Sequence, residues 1–365
     1  MSIPPIIPLP ANRVWRSYIG GKILDTMEGS SDPSDGHFPE DWIASTTAAI
    51  NTDRQQNINE GLSTIGIDGD RETLKSLMLK YPTELLGIKH YTAYGPQTQF
   101  LLKFLDSAVR LHIQAHPTIE FAKQYLDSNS GKTEAYVILD TRTGVEAPYI
   151  YLGFQRPVAA EAFKEIIVKQ DIHQLLSCFE KIRVKPGDVF YVPGGLPHAI
   201  GEGVLMIEMM EPTDFVVRLE FERGGYVLPE EARFMGRDID FAMSMIDFSM
   251  HSTNSVRRDY FVQPRLMTSG DGVEEYVLID QQQTSCFSLY RLNIKTRFVK
   301  RANSFYVGIV TKGDGVISAG DLQLPITKGA KFFVPFKTSR TEFATHNGLE
   351  VVLAFPPTEE DASKR

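Results

Sequence analysis

Four residues of this chain, Gln114, His116, Glu134 and His198, have types and surroundings that could do chemistry. The first two stand in IQAHPTIE, the third in GKTEAYVIL and the fourth in PGDVFYVPGGLPHAIG. Each can offer nitrogen or oxygen to a divalent cation, and none is a cysteine. Such a donor set is hard to borderline in character and suits Zn, Mn, Fe or Ni. It points to Lewis-acid chemistry on an oxygen-rich substrate more than to a structural zinc.

On a strand, positions 112, 114 and 116 share a face, so His112, Gln114 and His116 would point together. Polar side chains on the face of a strand rich in Leu and Ile need partners, because burying them unpaired is costly. Taken singly, each candidate also has a plainer reading. Gln114 and His116 could belong to a solvated face with a hydrogen-bonded histidine. Glu134, at the head of the apolar AYVIL, could be a solvated strand end, and His198, after a Pro-Gly-Gly turn, could be structural. The metal reading gains weight because two distant segments both present histidine in polar turn or strand contexts.

Groups from distant segments can meet only on a scaffold. At 365 residues the chain is too long for one ordinary core, and two or three packed units are expected. Apolar content of 42% and charged content of 23% are those of a soluble globular protein. A net charge of -8 and a pI near 5.6 argue against nucleic acid as a partner, without excluding a small anionic substrate. Cys178 and Cys286 lie far apart without C-x-x-C spacing and read as buried free thiols in a reducing compartment. The start MSIPPIIPLPANRVW lacks the basic region and apolar run of a signal peptide. No apolar stretch reaches about 18 residues, so a cytoplasmic protein without a membrane span is expected.

The first 15 residues are proline-rich and read as extended, and 28–39 reads as a polar loop. Periodicity predicts a helix at the start of 71–89 that stops near Pro82. A second helical stretch, 158–182, carries Phe163, Ile166, Ile167, Ile172, Leu175, Leu176 and Phe179 at spacings of three and four. A third is predicted over about 229–248, with Glu230 and Glu231 in its first turn. Strands are predicted over 100–104, 108–113, 135–139, 189–192 and 204–211. After residue 258 the short apolar segments FSLYRLNI, FYVGIVT, GVISA and KFFVPF predict an almost entirely β region. Many short strands suggest a jelly-roll barrel, with a helical insertion packed against it. KPGDVFYVP and TKGAKFFVP echo each other, so that Gly187, Pro193 and His198 correspond to Gly329, Pro335 and Arg340. The echo implies a turn, a strand and a strand-end proline used twice, with arginine where the second copy would need a ligand. Residues 287–320 also contain no His or Glu.

These residues carry a family resemblance. Gly187-x5-Pro193-x-Gly195-x2-His198 looks like the second conserved motif of cupins. KFLD with IQAHP (103–117), GKTEAYVIL (131–139) and PGGLPHAIGEG (193–203) resemble the type I mannose-6-phosphate isomerases, in a short bacterial or archaeal-like form. NRVWRSYIGGKIL is similar to that family's Trp-Gly-Gly start, and EDWIAS (40–45) to its Trp-x-x-Ser segment. The resemblance covers about 14–220. It implies a mainly β fold of two cupin jelly-roll barrels with a helical region. The first barrel would comprise 1–150 and 183–227, with a helical insertion at about 66–92. Helical segments would occupy 151–182 and 228–257, and a degenerate, metal-free second barrel 258–365.

The resemblance implies a zinc-dependent aldose–ketose isomerase that interconverts mannose 6-phosphate and fructose 6-phosphate through an enediol(ate). One Zn2+ per chain, or another divalent metal, would be held by Gln114, His116, Glu134 and His198. Lys132 matches the family's active-site lysine, and Arg218 the arginine across the site from the metal. Lys132 could instead be a turn lysine, and Arg218 could pair with Glu220 or Glu222. The family's Trp-Glu pair is Trp42-Ile43 here, and LEFERGG after Arg218 lacks the Thr-Pro-Lys of longer members. Those departures leave the sugar and its phosphate contacts open. Two histidines, one carboxylate and a neutral Gln leave a divalent ion with a net charge of about +1, which keeps it electrophilic. This favours catalysis over a non-catalytic sugar-binding or regulatory cupin. An iron cupin oxygenase, which would present more histidines, ranks last. A monomer or homodimer acting on a phosphorylated sugar is expected.

Overall fold

The computed structural model describes residues 3–54, 57–67, 70–145, 147–270, 272–358 and 361. It is mainly β, as expected, with short helices set between antiparallel strands. A six-stranded sheet runs in the order Val189–Val192, Glu134–Thr141, Val204–Met210, Leu101–Asp106, Glu40–Ile43, Arg13–Val14. A five-stranded sheet runs Ile182–Arg183, Tyr149–Leu152, His198–Ile200, Gln114–Ala115, Val217–Arg218. The two share a core in which Leu105, Tyr136 and Ile138 of the larger sheet meet Ile150, Leu152 and Ile200 of the smaller.

The other face of the six-stranded sheet is buried as well. Leu102, Phe104, Val137, Ile207 and Met209 belong to one core with Leu278, Phe305, Val307 and Val352 of the C-terminal region. Strands covered on both faces have no reason to alternate, which is why 101–106 and 204–210 read as near-continuous apolar runs. Charged residues inside such runs are therefore conspicuous, and they return at the site.

Among the described residues the C-terminal region supplies nine strands of a ten-stranded antiparallel system. Its central strand, Tyr306–Ala319, spans 14 residues and unites the two segments expected separately, FYVGIVT and GVISA. A register shift between Val310 and Lys312 marks a bulge. Such a bulge bends a long strand. Beyond it the strand pairs with Leu322–Thr327 and Arg340–Ala344 around a core of Leu292, Tyr306, Ile317, Phe332 and Phe343. The sequence echo has a structural counterpart. Gly187 and Gly329 turn at φ of 95° and 90°, strands Val189–Val192 and Lys331–Val334 follow, and Pro193 and Pro335 end them.

Local chemistry corrects several predicted boundaries. The stretch 71–89 begins as the strand Asp70–Thr73, and its first helix, Leu74–Lys80, is capped by the Thr73 hydroxyl. Pro82 opens the next helix, Pro82–Leu85, and a further helix, Ile88–Tyr94, follows. The stretch 158–182 divides into Ala160–Lys169 and Ile172–Ser177 because Gln170 is left-handed and Asp171 caps afresh. The third stretch divides into Glu230–Arg233 and Ile239–Met245, the latter capped by Asp238. Residues 108–113 form no strand, since the Ile113 N–H donates to the Glu220 carboxylate rather than to a ladder partner. Both cysteines are buried and free. Among the described residues no helix is long and apolar enough to cross a membrane.

The chain's beginning is tied to its end. Ile7–Pro8 pairs with Lys331–Val334, and buried Lys331 forms an ion pair with buried Asp41 of the six-stranded sheet. Truncating one partner of a buried ion pair strands the other charge, at a cost of about 3–5 kcal/mol. Lys331→Ala is therefore expected to lower unfolding free energy by about 3 kcal/mol in urea titration, while Asp41→Asn combined with Lys331→Met recovers most of it. Equal loss in the single and double variants would contradict this account.

Candidate metal centre

His198 and Gln114 stand opposite each other in register, as do Gln114 and Arg218. The three side chains therefore form a row across adjacent strands of the five-stranded sheet. Glu134 opens its strand in the six-stranded sheet, and His116 lies two residues beyond Gln114. The three segments are sewn together by their backbones. Lys132 N–H donates to the Pro117 carbonyl at 2.9 Å, and Gly195 N–H to the His116 carbonyl at 2.7 Å. A Cβ at Gly131 or Gly194 would come within 2.6 Å of the Pro117 oxygen, so only glycine allows this approach. Buried Glu211 takes the N–H groups of Gly131 and Thr133, each at 3.1 Å.

The outcome is a tight cluster. Ligand atoms of His116, Glu134 and His198 all lie within 4.8 Å of one another. His116 Nε2 is 3.0 Å from Glu134 Oε1, and His198 Nε2 is 3.5 Å from Glu134 Oε2. The Gln114 amide lies 3.5 Å and 3.4 Å from the same two Nε2 atoms.

Hydrogen bonds on the far side of each ring fix its protonation. His116 Nδ1 is 2.8 Å from the Phe215 carbonyl, and His198 Nδ1 is 2.8 Å from the Leu196 carbonyl. A carbonyl only accepts, so each Nδ1 carries the proton, and in the neutral ring the Nε2 lone pair faces Glu134. Burial favours the neutral form. It draws His116 down to about 3, aided by Lys132, and it lowers His198. Glu134 stays ionised despite its burial, its carboxyl held well below the usual range with the Lys132 ammonium as the cation beside it. Tyr136 Oη donates to Glu134 Oε2 at 2.6 Å, whereas Oε1 is buried without a hydrogen-bond partner among the described residues.

Two lone pairs and an unsatisfied carboxylate oxygen facing one point are mutually repulsive unless a cation sits among them. The donor set therefore fits a divalent metal. The Gln114 side chain joins that set with its amide turned by 180°, which leaves its shape unchanged and presents oxygen to the same point.

Lys132 is buried, 3.6 Å from Glu134 Oε1, and burial lowers its pKa. Arg218 is half-buried, with a guanidinium N–H donating to the Ala232 carbonyl at 2.7 Å. Burial pulls its pKa down to about 10, so it remains charged at neutral pH. It does not pair with Glu220, whose carboxylate is taken by Arg110 at 2.5 and 2.7 Å. Arg218, Lys132, Gln114 and Glu134 line one cavity of about 40 Å³. His112 lines it too but stays out of the cluster. Its Nδ1 donates to the Glu220 carbonyl at 3.0 Å and its Nε2 faces Ser17 Oγ at 3.2 Å.

Sequence reasoning missed the charged floor of this cavity. Lys103 and Glu208 are opposite in register and paired at 2.5 Å, and Lys103 also reaches Glu40 at 3.1 Å. Arg16 bridges Glu40 at 2.9 Å and Asp214 at 3.0 Å. Burial and the nearby charge of Glu134 push Glu208 up to about 8. A signal was present, namely one charge in the middle of each apolar run, LLKFLD and VLMIEMM.

A buried His–Glu–His cluster that could hold a metal, with a lysine and an arginine lining the same cavity, is the kind of arrangement a metal-assisted enzyme acting on polar substrates would use. No protein-family profile matches the sequence. The chain is 26% identical over 244 residues to the mannose-6-phosphate isomerase ManA of Bacillus subtilis, covering 66% of this chain and 70% of that one. It is 26% identical over 279 residues to the mannose-6-phosphate isomerase of Streptococcus mutans, covering 75% and 80%. Its fold matches the crystal structure of the mannose 6-phosphate isomerase from Bacillus subtilis with a TM-score of 0.73 at 20% identity, covering 96% and 99%. The resemblance read from the sequence is thus borne out, and the chain is a relative of the mannose-6-phosphate isomerases.

The neutral histidines make stability pH-dependent. His112 and His116, held near 3 by burial, protonate at about 6.5 once the chain unfolds. Below that pH the unfolded state takes up protons the folded state refuses. Each therefore contributes stability that is present above about pH 6.5 and is lost at about 1.4 kcal/mol per pH unit down toward pH 3. Urea titrations of metal-free protein at pH 7, 6 and 5 are expected to show this fall. An unchanged midpoint across that range would refute the neutral assignment.

Proposed function

We propose that this chain is a metal-dependent aldose–ketose isomerase that interconverts mannose 6-phosphate and fructose 6-phosphate through an enediol(ate). The observation that carries the reading is the convergence of His116, Glu134 and His198 in a chain related to such isomerases. Gln114, His116, Glu134 and His198 would hold the metal, one per chain, with zinc favoured by the nitrogen-and-oxygen donor set. Bound there, a divalent ion would supply Lewis acidity toward substrate oxygens.

The chain's own residues supply the rest. Isomerisation moves a proton between C1 and C2 while negative charge gathers on the adjacent oxygens. Arg218, fixed by the Ala232 carbonyl on the same sheet row as Gln114, presents a guanidinium that can orient both oxygens and stabilise that charge. Lys132, whose pKa burial lowers, can hold or move a proton, or balance the phosphate as a point charge. Tyr136 fixes Glu134, and the Lys103–Glu208 pair lines the cavity floor. The open volume of about 40 Å³ is small for a hexose phosphate, so the cavity must widen to admit one.

The same reading extends to architecture and setting. The paired sheets of the N-terminal region and the C-terminal strands are read as two cupin jelly-roll barrels, divided as expected from sequence, with no metal ligands in the second. The enzyme would act in the cytoplasm as a monomer or homodimer. The sugar-binding alternative is not favoured, because the relatives are named as isomerases.

In deuterated solvent, purified protein is expected to exchange the C2 hydrogen of mannose 6-phosphate, detected by NMR, and to lose activity on chelation. Metal and substrate binding without exchange would favour the sugar-binding alternative. Arg218→Ala is expected to keep its metal by elemental analysis while turnover falls about 100- to 1,000-fold, the cost typical of removing one preorganised charge stabiliser. Turnover within a few-fold of the parent would remove Arg218 from the reaction.

A further inference from the structure

A large cavity shares no lining residue with the cavity at the metal cluster. It measures about 960 Å³ and opens between the helix Ile88–Tyr94 and the C-terminal strands. A volume near 1,000 Å³ is at the upper end for a small-molecule site. Its lining includes Lys89, Lys300 and Arg301, and no Asp or Glu side chain lines it among the described residues. On a chain with a net charge of -8, an acid-free cavity with three cations is a local reversal of sign.

The cations differ in their state. Lys300 is neutralised by Glu275, and its ammonium lies 5.5 Å from the Tyr290 ring and 5.8 Å from the Phe355 ring, both of which line the cavity. Arg301 faces Arg340 in register across adjacent strands. Like charges placed opposite each other are unfavourable. Arg340 is relieved by Glu342 at 3.0 Å, but Arg301 has no acidic partner among the described residues. The site thus keeps an uncompensated guanidinium at its edge.

The walls are preformed. Phe336, still 38% exposed at the rim, is anchored by its N–H donating to the Leu85 carbonyl at 3.0 Å, and the next N–H, of Lys337, donates to the Glu84 carbonyl at 2.9 Å. Phe336, Tyr290 and Phe355 offer apolar ring faces beside the cations. A rigid cavity with aromatic walls and a free guanidinium suits a ligand with a planar body and one anionic group.

From this juxtaposition we infer that the cavity binds a small organic anion carrying a flat ring, separately from any substrate at the metal centre. The inference does not rest on the isomerase reading. Adenosine 5′-monophosphate is a suitable probe, with adenosine and inorganic phosphate as its two halves. In isothermal titration calorimetry of the full chain, the monophosphate is expected to bind saturably and at least about tenfold more tightly than either half, as expected when a charged hydrogen bond adds to ring contact. Arg301→Glu and Phe336→Ala should each weaken it about tenfold or more, with isomerase turnover and thermal midpoint unchanged. Excess mannose 6-phosphate should leave the binding intact. The inference is overturned if no saturable heat appears at millimolar concentration. It is likewise overturned if adenosine or phosphate binds equally well, if Arg301→Glu leaves affinity unchanged, or if mannose 6-phosphate displaces the probe.

Discussion

A buried carboxylate that must remain charged governs the centre of this protein. Glu134 is fully buried, yet one of its oxygens has no hydrogen-bond donor and the other has only Tyr136. Isolated ionised carboxylates are too expensive to bury, so the fold has to supply positive charge at that point. Lys132 provides part of it at 3.6 Å. The two imidazoles cannot provide the rest, because their Nδ1 protons are committed to backbone carbonyls and burial keeps them neutral. The cluster thus suits a cation among its donors, and the glycines at 131 and 194 let three chain segments close around it.

The surrounding polar groups follow from the same constraint. Glu208, Lys103, Glu40, Arg16 and Asp214 form a connected run of acidic and basic side chains through the sheet core, and each member is buried. Buried charges in such a network stabilise little relative to apolar packing. They do give the cavity a fixed electrostatic pattern, with cations from Lys103, Arg16, Lys132 and Arg218 spread around an anionic floor. This suits a substrate that brings several hydroxyl groups and a negative charge, since donors and acceptors are already in place before it arrives.

Much of the candidate site was legible in the chain, for identifiable reasons. Gln114 and His116 share a strand face, and His198 follows a glycine–proline turn whose conformation leaves few alternatives. Arg218 lines the same cavity as Gln114 and Glu134, and its local partner is neither Glu220 nor Glu222. Its bond to the Ala232 carbonyl depends on where the short helix Glu230–Arg233 docks, which no local pattern encodes. The charged floor escaped notice because apolar runs with one embedded charge read as ordinary half-buried strands. Only the burial of both sheet faces shows that Lys103 and Glu208 cannot reach water. Helix boundaries slipped where a single residue resets the backbone, as at Gln170, whereas the helix expected to stop near Pro82 does end at Lys80, with a further short helix beginning at that proline. The stretch around 108–113 lost its ladder to a side-chain carboxylate, a long-range event invisible to periodicity.

The pairing of Ile7–Pro8 with Lys331–Val334 has a bearing on how the polypeptide is made. During synthesis Ile7–Pro8 emerges long before its edge partner, and Asp41 waits for a lysine 290 residues downstream. Until then the front of the nascent chain carries an open strand and a lone acid. Vectorial folding can therefore assemble the sheets around the His–Glu–His cluster early, but it cannot cover the Ile7–Pro8 edge before Lys331–Val334 has been made. Premature termination would leave that leading edge available for mispairing, which gives quality control a ready mark of an unfinished product.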